Sequence, residues 1–379
     1  MAFGKKNVIK IDPLQYNLGL IGLGGIGKTT VIKQMCEKLA GEDGYLFAEC
    51  GREDGADAIS GINYINCPSW NDDYDELNNS VGFKVLIEDI LENKETEYPN
   101  LKTLVIDTYD QLKEIADKEV IRLHNKKYPE KKVDSIKAAF GGYMAGDDLS
   151  DDMVLDMLWS LKNVGVHFII IGHTKYREIV DSVTNETYSQ LTTDMSMRSF
   201  NKIKTKLHFL GVASIDRDII KEKNKKSGKE RGVIQSESRK ITFRDDDYAL
   251  DSKSRFADIV DEIPLDADAL IQALTDAIKA EAERGGVSLD ELAKVQKKLD
   301  AAVAKRTTEN SAKAREKKAS AELEENRQSY LDIISANFQT ADADIKTKAK
   351  ELLTNAGAKK FTDPDLDIEV LKTISELFG

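Results

Sequence analysis

The sequence predicts an α/β fold: a mostly parallel sheet flanked by helices, antiparallel strands added at one edge, and a helical C-terminal extension. Three observations predict it. A glycine-rich run, Gly22, Leu23, Gly24, Gly25, Ile26, Gly27, Lys28 and Thr29, sits between an apolar run at 18–21 and an amphipathic segment at 30–39. Apolar strand-like runs then alternate with helix-period segments as far as residue 171, the pattern of βαβ units. After Pro264 the composition shifts to Ala, Glu, Lys and Asp in a helical pattern.

In chain order, residues 7–11 read as a short strand closed by a turn at Asp12 and Pro13, and 18–21 as a buried strand. In the following helix Ile32, Met35, Cys36 and Leu39 share one face. Residues 45–48 form the next strand and end in Glu49 and Cys50. The glycines among acids at 51–61 mark a loop, and 64–66 a short strand. Phe83, Leu86, Ile87, Ile90 and Leu91 trace a helix, and 101–108 a buried strand ending in an acid. Leu112, Ile115, Ala116, Val120 and Leu123 mark another helix; 126–147 is irregular; Val154, Met157, Leu158 and Leu161 line the next helix. Residues 166–173 are the most strand-like of the chain. A hairpin (176–182 with 187–193), a short helix at 197–205 and strands at 207–215 and 233–243 follow, the last two joined by a lysine-rich loop at 221–231. The expected domains are a core at 1–264, a helical linker at 265–327 and a small helical domain at 328–379. Leu289, Leu292, Val295, Leu299 and Val303 recur at helical spacing, whereas 304–326 has almost no large apolar residue and reads as a solvated helix or linker. In the last unit Leu331, Ile334 and Phe338 share one helix. Ile345, Ala349, Leu352 and Leu353 share a second, stopped at Gly357, and a third starts at Asp363 and Pro364.

The glycine-rich run matches the phosphate-binding P-loop, in which backbone N–H groups and a helix N-terminus surround phosphates. Gly22, Gly24, Gly25, Ile26, Gly27, Lys28, Thr29 and Thr30 are therefore the candidate nucleotide-binding residues. Lys28 is expected to reach the β- and γ-phosphates of ATP and Thr29 to hold Mg²⁺. Asp107, ending a buried strand, is the candidate second metal residue, with Asp110 as the weaker alternative. Glu49 is the candidate general base, on the expectation that its strand lies beside the P-loop strand; Glu53 is the runner-up. His173, ending the strand that starts at 166, is expected at the same edge of the sheet, either touching the γ-phosphate or capping a helix or the core.

Together the P-loop, the segment Ile106, Asp107 and Thr108, the segment Gly172, His173, Thr174 and Lys175, and the hairpin after it resemble compact RecA-like ATPases of bacteriophages. That group is related to the Sak-four single-strand annealing recombinases. The resemblance covers roughly residues 1–262. It implies a RecA-like P-loop NTPase core that self-associates into a ring or filament on single-stranded DNA with ATP between subunits, and a DNA-stimulated ATPase serving phage recombination. It assigns water activation to Glu49 and γ-phosphate sensing to His173, and maps DNA-facing loops to about 134–150 and 174–196. The sequence departs from RecA in lacking an N-terminal polymerisation segment of that type, and in its tail. A cation acting on a neighbouring subunit is expected, by position alone, among Arg239, Lys240 and Arg244.

The candidate nucleic-acid contacts are Phe140 and Tyr143 for stacking, with Lys175, Arg177, Arg198, Lys202, Lys225 and Lys226 as cations for phosphates and Tyr176 as an aromatic among them. The net charge of −12 excludes coating of nucleic acid by bulk charge. Three scattered cysteines form no disulfide framework, and no run is long and apolar enough to span a membrane, so a cytoplasmic protein, here of an infected bacterial host, is expected. The competing expectation is a nucleotide-gated assembly or adaptor ATPase whose helical tail recruits a protein, a phage single-strand binding protein being one option. A P-loop kinase is disfavoured because no arginine-rich lid is visible.

Overall fold

The computed structural model describes residues 9–51, 55–181, 184–223, 230–245, 250–285 and 289–378. Of the expected first strand at 7–11, Asn7 and Val8 lie outside these residues, and 9–11 are irregular. The Asp12 side chain accepts from the Leu14 amide and caps a single turn at Pro13–Gln15, which competes with extended pairing there.

The elements are β1 (Leu18–Gly22), α1 (Lys28–Ala40), β2 (Tyr45–Cys50), β3 (Tyr64–Cys67), α2 (Phe83–Asn93), β4 (Thr103–Asp107), α3 (Tyr109–Lys127), α4 (Ala145–Asn163), β5 (His167–Val180) and β6 (Thr187–Thr193). They continue as α5 (Met197–Lys204), β7 (Phe209–Lys223), β8 (Glu230–Thr242), β9 (Lys253–Ser254), β10 (Glu262–Pro264), α6 (Ala267–Arg284), α7 (Leu289–Asn337), α8 (Ala343–Asn355) and α9 (Ile368–Glu376). The sheet runs β10-β8-β7-β1-β5-β4-β2-β3, with β6 paired to β5 and β9 to β7. From β3 to β7 all pairings along this path are parallel, and β8, β9 and β10 add antiparallel at the far edge, as the sequence predicts.

Two apolar layers close the sheet. On one face Phe83, Ile87, Leu112, Leu158 and Phe168 carry α2, α3 and α4. On the other, Ile32, Met35 and Cys36 of α1 meet Ala267, Leu270, Leu274 and Ile278 of α6. Burying a side chain such as Ile32 or Leu270 contributes roughly 1.5–3 kcal/mol. This packing moves the expected boundary: α6 belongs to the core rather than to a linker. The first compact unit runs to Asn310, where α7 is tied down by Arg306 and Asn310, which donate to the side chain and carbonyl of Asn163. The side chains of Leu289, Leu292, Val295 and Leu299 lie outside the described residues.

A second difference concerns 166–182. The structure has one strand, β5, whose first part pairs with β1 and β4 inside the sheet and whose second part leaves it to pair with β6. The hairpin is therefore continuous with the strand that ends at the phosphate edge.

The second unit, Ser311–Gly379, folds around Ile334, Ala349, Leu353, Leu366, Leu371, Ile374 and Phe378. Gly357, at φ +76°, follows α8 as expected of a stop signal. The third helix starts later than the sequence suggests. Asp363 closes a turn with Leu366, and Asp367 caps α9 by accepting from the Glu369 amide.

Candidate active site

Several strands end at one edge of the sheet. Gly22 of β1 stands opposite His173 of β5; Asp107 of β4 stands opposite Glu49 of β2 on one side and Ile171 of β5 on the other. This corrects the expected neighbourhood of Glu49. β2 is not beside β1, because β5 and β4 lie between them, and Glu49 reaches the site as Asp107's neighbour.

The loop between β1 and α1 has the backbone its glycines permit. Gly25 and Gly27 have φ of +70° and +111°, in the region that side chains disfavour. A Cβ on Gly22 would stand 2.8 Å from the carbonyl oxygen of Ala213 on β7. Lys28 is 5% exposed, and its Nζ donates to the carbonyls of Gly22 (3.0 Å) and Leu23 (2.9 Å), folding the side chain back over the loop.

Thr29 Oγ1 donates to Asp107 Oδ2 at 2.7 Å, so the first turn of α1 and the end of β4 meet through two oxygens. A hydroxyl and a carboxylate are the hard oxygen donors that Mg²⁺ takes. These two residues would hold it, and the ion supplies neutralisation of the charge on phosphoryl oxygens. The Asp107–Thr108 peptide bond is cis. Glu49 is buried, and its Oε1 accepts from the Ala56 amide at 2.9 Å, which fixes the carboxylate against the turn at Ala56–Ala58. Glu53, the runner-up, lies outside the described residues.

Asp110, weighed from sequence as an alternative metal residue, is instead the partner of His173. Its Oδ2 stands 2.9 Å from His173 Nδ1, and its Oδ1 accepts from the His173 amide at 3.1 Å. Burial pushes the Asp110 carboxyl up, but the hydrogen bonds and charge of His173 outweigh it and hold the group below the usual carboxylate range. An ionised Asp110 keeps the proton of the ring on Nδ1 and fixes the ring's plane. Nothing in the spacing of residues 110 and 173 announces this pair.

Arg239 was missed as a residue of its own chain's site. From β8 its Nη1 donates to the carbonyl of Ile26 at 3.0 Å, bracing the loop one residue before Gly27. The other two cations considered with it are engaged elsewhere: Lys240 pairs with Glu262 at 2.8 Å, and Arg244 donates to the Phe256 carbonyl at 3.2 Å.

A phosphate loop opening a helix, a hydroxyl on an acid at the end of a buried strand, and a carboxylate in register with that acid make a nucleotide-hydrolysing arrangement. Residues 15–256 match the family described as an AAA domain. The chain belongs to this family. It is a nucleotide-binding ATPase with an α/β P-loop core. No curated protein matches it. Among the described residues no helix is long and apolar enough to cross a membrane.

The residues expected to face nucleic acid occupy a different kind of surface on this AAA-domain protein. Tyr143 is fully exposed at φ +47°, beside Gly141, Gly142 and Met144, which also have positive φ. Tyr176, on the hairpin arm of β5, is 68% exposed. Phe140 is half-buried, its ring edge-on to His124 at 5.2 Å and near Tyr128 at 6.3 Å, so it packs in the fold rather than projecting. Arg177 donates to the carbonyls of Thr193 and Met195 and closes the base of the hairpin. Lys175 pairs with Asp194 at 2.6 Å. Arg198 grips both oxygens of Asp148 (2.8 and 2.6 Å), and Lys202 reaches Asp148 at 2.8 Å and Asp151 at 3.3 Å. Asp148 is held down at about 2, first by its hydrogen bond from Arg198 and then by that from Lys202. Lys225 and Lys226 lie outside the described residues.

Proposed function

We propose that this AAA-domain protein is a magnesium-dependent, RecA-like ATPase of phage type that binds single-stranded DNA and supports annealing or strand exchange. The observation that carries its ATPase chemistry is the 2.7 Å contact of Thr29 with Asp107, with Glu49 in register beside it. In this reading Lys28 binds the β- and γ-phosphates, Glu49 takes the proton of the attacking water, and His173, held by Asp110, senses the γ-phosphate. Because β5 runs without a break from His173 into the hairpin, a shift of that ring passes directly to the segment carrying Tyr176. Tyr143 and Tyr176 supply stacking faces, each worth about 1–3 kcal/mol per base. Self-association into a ring or filament completes the reading.

A second reading follows from one observation: Lys175, Arg177, Arg198 and Lys202 are all engaged within the chain. It makes the protein a nucleotide-gated assembly ATPase that recruits a protein through its C-terminal unit and has no direct DNA role. ATP turnover measured with and without a single-stranded oligonucleotide at low and high salt separates the two. Stimulation that falls with salt supports the first. Turnover indifferent to DNA, with no DNA retained at low salt, overturns it in favour of the second.

A further inference from the structure

The C-terminal unit holds a cleft of about 630 Å³, within the roughly 300–1,000 Å³ of ligand-binding clefts. Its walls come from three segments: Leu331, Ile334 and Ser335 on α7, Lys350, Leu353 and Thr354 on α8, and residues 358–362 of the following turn. The floor is apolar, made by Leu331, Ile334, Leu353 and Phe361. Phe361 is fixed by an edge contact to Phe338 at 5.8 Å, so the cleft is a shaped feature of the bundle. Around it stand Lys350, Lys359 and Lys360, all exposed.

These lysines differ from most cations described above. Lys175, Arg198 and Lys202 have carboxylate partners, and in this same bundle Lys346 donates to the Gln339 carbonyl and lies over the Phe338 ring. Lys350, Lys359 and Lys360 make no ion pair among the described residues, although acids outnumber bases in their unit. Three cations gathered around this apolar cleft define the chemistry of an occupant: apolar at its centre, anionic at its margins.

We propose that this cleft binds a short acidic peptide segment of a protein partner, seating one or two of its large apolar side chains on Leu331, Ile334, Leu353 and Phe361 while its carboxylates meet Lys350, Lys359 and Lys360. The apolar floor favours a peptide over a nucleic-acid strand, whose charge runs without interruption along its backbone. The proposal concerns the C-terminal unit alone and stands whether or not the ATPase acts on DNA.

The test uses the full-length protein and fluorescence anisotropy of a labelled nonapeptide of aspartates flanking a central leucine and phenylalanine. The controls are the same peptide with lysines for aspartates, one with glycines for the two apolar residues, and a labelled single-stranded oligonucleotide. Binding of the first peptide and of neither peptide control is expected, weakened at least about tenfold between low and high salt. Any oligonucleotide binding by the ATPase core is expected to be unchanged in the variants below. Two variants locate the site without touching its buried core: the triple reversal Lys350→Glu, Lys359→Glu and Lys360→Glu, and Ser335→Trp, which fills the cleft and keeps every lysine. Each is expected to weaken the peptide at least about tenfold and to leave ATP turnover and the circular dichroism spectrum unchanged. Equal affinity for acidic and basic peptides, wild-type binding by both variants, or loss of oligonucleotide binding in the triple variant with no peptide bound by the wild type overturns the proposal.

Discussion

The nucleotide edge of the sheet and the surface of the hairpin and α5 use charge in opposite ways. At the nucleotide edge, side chains from separate strands and helices converge: Thr29 of α1 on Asp107, Glu49 in register with Asp107, and His173 on Asp110 of α3. On the hairpin and α5, cations are answered by nearby acids or carbonyls, as with Arg198 and Lys202 of α5 on Asp148 or Arg177 on Met195. The difference teaches that a cation-rich stretch of sequence is not by itself an anion-binding surface. What matters is whether the fold has already supplied the counter-charge.

The largest expected effects probe the convergent edge. Lys28→Ala removes the cation bound by the loop and is expected to lower kcat/KM for ATP by at least about 100-fold, the scale of losing one preorganised charge. Glu49→Gln should still bind ATP but turn it over about 10²–10⁴-fold more slowly, the usual contribution of a general base. Nucleotide binding by fluorescence alongside single-turnover hydrolysis distinguishes these outcomes, and normal turnover by Glu49→Gln would assign the base to Glu53 or another acid.

A smaller effect tests the paired edge. Asp148→Asn leaves Arg198 and Lys202 without their shared carboxylate. If these cations face DNA once released, affinity rises and the slope of log affinity against log salt steepens by about 0.7 for each phosphate newly engaged. An unchanged slope means that their pairing with α4 is purely structural and that the two edges do not share a ligand.

The smallest effect lies at the opposite ends of the strands, away from both regions. Burial, with Lys162 nearby, drives His167 and His208 from the ordinary 6.5 to about 4. His208 Nδ1 also accepts from the Asn17 amide, which requires that nitrogen unprotonated. Both rings are neutral in the fold and take up protons more readily when it unfolds. Their contribution is complete above pH 6.5, is lost as pH falls toward 4, and changes no further below that. Thermal denaturation across this range should show the fall, flattened in His208→Gln, which keeps an acceptor for Asn17.

How much could be read in the chain differs between these regions for a physical reason. The P-loop was legible because its function is local: glycines at positive φ, then a lysine and a threonine at a helix start, all within residues 22–29. Asp107 was legible because an apolar run with an acid at its end is a local pattern. Glu49 was identified as a candidate, but on a wrong neighbourhood, since strand order is set by which apolar faces pack under which helices. The Asp110–His173 pair and the contact of Arg239 with the carbonyl of Ile26 had no local signal; they join residues 63 and 213 positions apart.

The sequence by itself determined most of the elements, the phosphate loop and the acid that ends β4, because periodicity and backbone preference act over a few residues. Only the tertiary structure decided that β5 separates β1 from β4, that α6 seals the core, and which cations are already neutralised. Those outcomes depend on contacts between distant segments, whose free energy comes from packing and charge pairing that no local spacing encodes.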